Sequence, residues 1–90
     1  MFRLWVMEWK DSRLIRDIVI ENGERDTRTH KVLQGLEEGC RSFDLPVPIW
    51  LESSISDFKR HSGCRFTQDA FMEEIDFDYL EIKIIEEDMF

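Results

Sequence analysis

The 90-residue sequence lacks several features that would point to a membrane, an exported or a disulfide-bonded protein. No apolar run approaches the roughly 20 residues that a helix needs to cross a bilayer. The first residues have neither the apolar stretch nor the small-residue cleavage site of an export signal. Cys40 and Cys64 are the only cysteines, and nothing indicates export, so we expect free thiols in a reducing compartment. We therefore expect a cytoplasmic protein with no membrane partner.

Basic residues are also scarce, since 12 Lys and Arg stand against 20 Asp and Glu, which gives a net charge of -8. A chain of this charge repels phosphate backbones, so nucleic acid is not expected as a partner. The same charge favours solubility or a basic protein partner. One alternative function is therefore an acidic inhibitor of a basic or nucleic-acid-binding partner, which requires carboxylates gathered on one surface.

The hydrophobic content of 42%, with three Trp and seven Phe, is typical of a folded protein, and 90 residues make one domain, residues 1–90. Alternation and helical periodicity then predict the secondary structure. The predicted elements are strands at residues 2–10 and 14–21, a long helix from Thr27 to about Phe43, a short helix after Ser54, a helical turn from Thr67 to Glu74, and a strand at residues 75–85.

This order predicts an α+β fold of ββααβ order, with one long and one or two short helices on a mainly antiparallel, three-stranded sheet. The first strand is apolar on both faces, which is typical of a central strand, so we expect the strand order 2-1-3. A regular hairpin that pairs Trp9 with Leu14 puts Ile18 on the same face as Trp5. That face is bulky, and we expect it to lie under the long helix.

The opposite face of the predicted sheet has an apolar centre with charged neighbours, which resembles a protein interface. The predicted interface residues are Leu4, Val6, Ile15, Val19, Phe77 and Tyr79. The alternative is that the short helix and the segment at residues 46–51 fold across this face. Because symmetric dimers dominate soluble oligomers, a homodimer is the simplest form of the interaction. The sequence thus favours a non-enzymatic protein-interaction or homo-oligomerising domain.

A second candidate site lies at the start of the long helix. Arg28, His30 and Lys31 occupy its first turns, where the helix dipole repels cations. A bound anion, held with the Thr27 and Thr29 hydroxyls, would relieve this conflict. Ion pairs with nearby acidic residues explain the pattern equally well, and no Gly-rich phosphate loop is present. Small-anion binding is therefore an alternative function.

Cysteine and histidine chemistry is a further alternative. His61 and Cys64 lie close together near the end of the short helix, where basic neighbours would lower a thiol pKa. Basic residues are also what the dipole favours at a helix C-terminus. His30 and Cys40 are ten residues apart, which is unlike the closely spaced pairs of structural zinc sites. The sequence predicts no metal and no cofactor.

Five stretches, RTHKV, PIWL, DFKRH, RFTQDAF and IDFDYLEI, are distributed between Arg28 and Ile82. With them the sequence resembles a group of short uncharacterised proteins from anaerobic Firmicutes. No activity is assigned to that group. The resemblance implies a bacterial cytoplasmic protein and implies nothing about mechanism.

Overall fold

The structure, a computed structural model, describes residues 1–87. Its elements in chain order are β1 (Phe2–Lys10), β2 (Arg13–Asn22), α1 (Arg28–Ser42), α2 (Glu52–His61), β3 (Gly63–Phe66), a 3-10 turn (Gln68–Ala70) and β4 (Tyr79–Glu86). All strand pairs are antiparallel, and the strand order is β2-β1-β4-β3. The α+β class and the position of β1 between β2 and the last strand are confirmed. The prediction of three strands is wrong, because β3 adds a fourth at one edge.

The added strand, β3, has only four residues, too few to show a periodic pattern in the sequence. It begins directly after Ser62, whose left-handed backbone (φ 56°) ends α2. Gly63 lets β3 approach β4, because a Cβ atom there would lie 2.6 Å from the carbonyl oxygen of Ile82. The last strand, β4, starts at Tyr79, four residues later than predicted.

The hairpin of β1 and β2 contains a β-bulge that the sequence did not reveal. Trp9 pairs with Leu14, as predicted, but the next pair is Glu8 with Arg16. One residue of β2, Ile15, therefore has no partner on β1. Because side chains alternate along a strand, an extra residue moves everything beyond it to the other face.

The bulge decides which face of the sheet lies under the long helix. Beyond it, Ile18 and Ile20 lie on the same face as Leu4 and Val6, and Val19 lies on the opposite face. Helix α1 packs on the Leu4 side, so the expectation that it covers the tryptophans is wrong. Val32, Leu36 and Cys40 of α1 are buried in the core beneath the helix. The core residues are Phe2, Leu4, Val6, Ile20, Val32, Leu36, Cys40, Phe43, Cys64, Phe66, Ala70, Phe71, Phe77, Leu80 and Ile82.

An ion pair between a buried carboxylate and a partly exposed guanidinium connects the hairpin to the end of α1. Glu8 is 7% exposed and accepts a 2.6 Å hydrogen bond from Nε of Arg16. The same guanidinium donates to the carbonyl oxygen of Phe43, at 2.7 Å, and lies 4.7 Å from the centre of the Phe43 ring. Arg16 therefore neutralises a buried carboxylate and binds a free carbonyl at the helix end.

Helix α2 packs on the same side of the sheet as α1. Its Phe58 contacts Trp50 edge to face, and Trp50 contacts Phe66 of β3 in the same way, at 5.6 and 5.0 Å between ring centres. Among the elements within residues 1–87, no helix is long and apolar enough to span a bilayer. The two helices leave the other face of the sheet open.

Candidate interaction surface

The predicted interface residues separate into two groups. Leu4 and Val6 are fully buried, Phe77 is 6% exposed, and all three belong to the core. Ile15 and Val19 are exposed, at 50% and 41%. This corrects the predicted surface, because the face that contains Leu4 and Val6 is already covered by α1. The cause is again the bulge, which changes the face of half of β2.

The face left open is the one that carries the tryptophans of β1. We call it the tryptophan face. The residues that the strand pairings place on it include Arg3, Trp5, Met7, Trp9, Leu14, Asp17, Val19, Glu21, Gly63, Arg65, Tyr79, Glu81 and Lys83. Its centre is aromatic and its periphery is charged, an arrangement common in protein interfaces.

Two hydrogen bonds hold the tryptophan rings across this face. Nε1 of Trp5 donates to Oδ2 of Asp17 at 2.7 Å, and Nε1 of Trp9 donates to Oε1 of Glu81 at 3.1 Å. Asp17 and Glu81 are the neighbours of Met7 on the two adjacent strands. Met7 is only 3% exposed although no helix lies above it. The second apolar face of β1 is thus covered by its own indole rings.

The aromatic centre extends onto β4. The rings of Trp9 and Tyr79 stack with 6.1 Å between their centres. The guanidinium of Arg65 lies 4.7 Å from the centre of the Tyr79 ring and 3.6 Å from Glu81. Trp, Tyr and Arg are the residues most enriched among those that dominate binding energy in protein interfaces.

Two charges on the tryptophan face have no ion-pair partner within residues 1–87. Asp17 lies on β2 and accepts only the Trp5 hydrogen bond, whereas Lys83 lies on β4, on the other side of β1. Arg3, by contrast, pairs with Glu21 at 3.0 Å. The aromatic centre therefore has an unpaired carboxylate on one side and an unpaired ammonium group on the other.

The residues of the predicted anion site do not converge on one point. The Oγ1 atom of Thr27 accepts a hydrogen bond from the backbone N–H of His30, so Thr27 is the N-cap of α1. Nδ1 of His30 lies 2.9 Å from Oδ1 of Asp26. The hydrogen bonds from His30 and from the Thr27 backbone hold the pKa of the Asp26 carboxyl below its usual value. Asp26 thus provides a partner for the His30 ring without any ligand.

The remaining cations of that helix turn point elsewhere. Lys31 is buried, with its ammonium group 5.8 Å from the centre of the Phe2 ring. Arg28 bonds to Glu87 and Ser62, and together with Thr29 it lines a groove between the two helices. The structure therefore brings only Arg28 and Thr29 to a common cavity.

The cysteine site has the wrong electrostatics for a nucleophile. His61 and Cys64 do line one shallow cavity. Burial, with the negative charges of Asp57 and Glu81, raises the pKa of the Cys64 thiol to about 12. Burial alone raises that of Cys40 to about 11. Both thiols stay protonated near neutral pH, whereas nucleophilic cysteines act as thiolates. In the described part of the chain, no group of three or more His, Cys, Asp or Glu side chains is placed to hold a metal ion.

Sequence reasoning assigned Trp5, Met7 and Trp9 to the core. One signal against that assignment was present, because the last strand places Tyr79, Glu81 and Lys83 on one face. Charged residues at alternate positions are typical of an exposed face. The bulge at Ile15 concealed the matching pattern of β2.

No protein family, curated protein or solved structure matches this chain. The geometry of the tryptophan face is therefore the basis on which a function is assigned.

Proposed function

We propose that this protein is a non-enzymatic interaction domain that forms a homodimer through its tryptophan face. The observation that carries the proposal is the position of Asp17 and Lys83. They are unpaired within residues 1–87 and lie on opposite sides of an aromatic centre. A surface with one sign of charge on each side of an apolar centre is complementary to a second copy of itself.

The symmetry follows from this charge arrangement. A two-fold axis that runs between the copies, parallel to β1, places β2 of one subunit opposite β4 of the other. Asp17 then lies near Lys83 of the partner subunit, offset by two residues along the strands, because Asp17 pairs with Met7 and Lys83 with Trp5. The carboxylate directly opposite Asp17 is Glu81, which Arg65 of its own chain neutralises. The reciprocal contact forms on the other side of the axis. Packed sheets lie about 10 Å apart, with strands roughly aligned. The Trp5 and Trp9 rings would fill this space.

The hydrogen bonds of the tryptophan face favour association. The indole N–H groups of Trp5 and Trp9 are already satisfied within the chain, so their burial leaves no unpaired donor. The same bonds fix the ring orientations before the subunits meet, which reduces the entropy lost on binding. A preorganised aromatic surface of this kind supports an interaction function.

The acidic-inhibitor alternative has less support. Carboxylates lie on both helices and on the sheet, as at Glu37, Asp57 and Glu86. They are not gathered on one surface that a basic partner would recognise. The bacterial cytoplasmic location implied by the sequence resemblance stays a prediction.

A charge exchange tests the proposed dimer. The variants D17K and K83D should each bring like charges together at both symmetric contacts. Exposed ion pairs are worth about 0.2–1 kcal/mol each, so each variant should raise the dimer Kd roughly tenfold. The double variant restores opposite charges and should have a lower Kd than either single variant. Its Kd should stay above that of the wild type, because Lys at position 17 no longer accepts the Trp5 hydrogen bond. Sedimentation equilibrium measures these constants.

The matched control is E38K, which makes the same charge change on the exposed side of α1. It should leave the dimer Kd unchanged, because Glu38 lies away from the tryptophan face. Circular dichroism confirms that each variant is folded. The proposal is supported if D17K and K83D each weaken the dimer and the double variant recovers it in part. A monomer at millimolar concentration, or a double variant no tighter than D17K and K83D separately, would contradict it.

A further inference from the structure

A groove lies between α1 and α2, on the side of the molecule opposite to the tryptophan face. Its volume is about 350 Å³. The apolar walls are formed by Val32, Leu33, Trp50, Ile55 and Phe58. This volume is at the lower end of the roughly 300–1,000 Å³ that is typical of small-molecule sites.

The apolar walls are left in contact with solvent. Leu33 of α1 is 43% exposed and Ile55 of α2 is 41% exposed. Between them, Trp50 and Phe58 meet edge to face and are only half-buried. An apolar molecule that entered the groove would remove these surfaces from water, which stabilises a complex by about 25 cal/mol per Å² of buried area.

Two cations line the same groove, in a protein whose net charge is -8. Lys59 is exposed and has no ion-pair partner within the described residues 1–87. Nε of Arg28 lies 3.1 Å from Oε1 of Glu87, and its guanidinium lies 5.7 Å from the centre of the Phe58 ring. The Glu87 contact shows that a carboxylate can bind Arg28 beside the apolar wall.

We propose that this groove binds a small molecule with an apolar chain and a single carboxylate, such as a medium-chain fatty acid. The chain would lie between Leu33 and Ile55, in contact with Trp50. The carboxylate would pair with Lys59 and with Arg28, where it competes with Glu87.

The probe is octanoate, added to ¹⁵N-labelled protein and followed by NMR. We expect saturable shifts of the Trp50 indole N–H and of groove amides, with no saturable shift of the Trp5 and Trp9 indoles. Acetate carries the charge without the chain, and 1-octanol carries the chain without the charge. Both should bind more weakly than octanoate, because each uses only half of the site.

Variants of two exposed charged residues distinguish specific binding in the groove from nonspecific binding. K59Q should raise the octanoate Kd roughly two- to fivefold, the range expected for one partly exposed ion pair. E87Q should lower the Kd, because it removes the carboxylate that competes for Arg28. The matched control R60Q changes the adjacent residue of α2 and should leave the Kd unchanged.

Three results would overturn the proposal. The first is the absence of saturable shifts at Trp50 with octanoate. The second is equal affinity for octanoate and 1-octanol, since the cations would then play no part. The third is an equal loss of affinity in K59Q and R60Q, which would indicate a diffuse effect of charge. Each variant alters an exposed side chain, so the fold is expected to persist, and circular dichroism verifies it.

Discussion

Gly39 sets the distance between α1 and the sheet. A Cβ atom at this position would lie 2.8 Å from Cγ2 of Val6 and 3.1 Å from both its Cβ and Cγ1 atoms. Val6 is β-branched and has little freedom to move away. We therefore expect G39A to destabilise the protein by about 1–2 kcal/mol, although Ala is the better helix former by about 1 kcal/mol. Urea unfolding measures the change.

Gly35 provides the comparison for this prediction. A Cβ atom there would lie 2.8 Å from Cδ2 of Leu4, the far end of a more flexible side chain. G35A should therefore be less destabilising than G39A. V6A should cost less stability in the G39A background than in the wild type, because the smaller side chain makes room for the new methyl group. A G39A variant that is more stable than the wild type would contradict this account of the helix position.

The buried thiols give a prediction with a defined pH dependence. Burial raises the pKa of Cys40 to about 11 and that of Cys64 to about 12, from an ordinary value of 9.0. At about pH 8 both should react with a thiol reagent roughly a hundredfold or more slowly than in urea. Their contribution to stability is complete below pH 9.0 and is lost as the pH rises toward the folded-state values. Rapid labelling of Cys64 in the folded protein would contradict its assigned burial.

At the scale of the element, the bulge at Ile15 determines which face of β2 joins the core. Deleting Ile15 would make the pair of Trp9 with Leu14 directly adjacent to that of Glu8 with Arg16. Every core residue of β2 would keep its face. We expect this deletion to change the free energy of unfolding by at most about 1 kcal/mol.

Deletion of Val19 is the matched control for the bulge. It also removes one exposed β2 residue, but it shifts Ile20 out of the core face. This variant should lose several kcal/mol, since a buried side chain is replaced by its polar neighbour, Glu21. Urea unfolding measures both changes. Equal destabilisation by the two deletions would show that the bulge does not determine which residues of β2 face the core.

The bulge also explains why some elements of the fold could be predicted from the sequence and the pairing of β2 could not. Local signals were sufficient for α1, which was predicted from Thr27 to about Phe43 and has its caps at these two residues. They failed at α2, which begins at Glu52 without a side-chain cap rather than after Ser54. One extra residue in a hairpin leaves no local signal, yet it exchanges the two faces of β2.

The same error propagated to the candidate site. Without the bulge, Ile18 is predicted to lie on the tryptophan face, which then has enough apolar residues to form the core. Leu4 and Val6 are in that case predicted to lie on the exposed face. The composition of a face was therefore predicted from a register that the sequence alone does not fix. What the sequence does predict is that β1 has two apolar faces and that only one of them lies under α1.

At the scale of the whole molecule, the two proposed sites lie on opposite sides of one small domain. The tryptophan face lies on the open side of the sheet, and the groove lies between the helices on its other side. Octanoate should therefore leave the dimer Kd unchanged within about twofold. Octanoate in the groove does not contact the tryptophan face, and a second subunit on that face does not contact the groove. Sedimentation equilibrium with and without octanoate measures this, and a large shift would show that the sites are coupled.

The three tryptophans provide the most direct test of the central claim. Trp5 and Trp9 lie on the tryptophan face, whereas Trp50 lies beside the groove and acts as an internal control. Their indole N–H signals can be followed by NMR while the protein is diluted from millimolar to micromolar concentration. Dimerisation through the tryptophan face predicts concentration-dependent shifts for Trp5 and Trp9 and none for Trp50. Signals of Trp5 and Trp9 that do not change over this range, or a shift confined to Trp50, would contradict it.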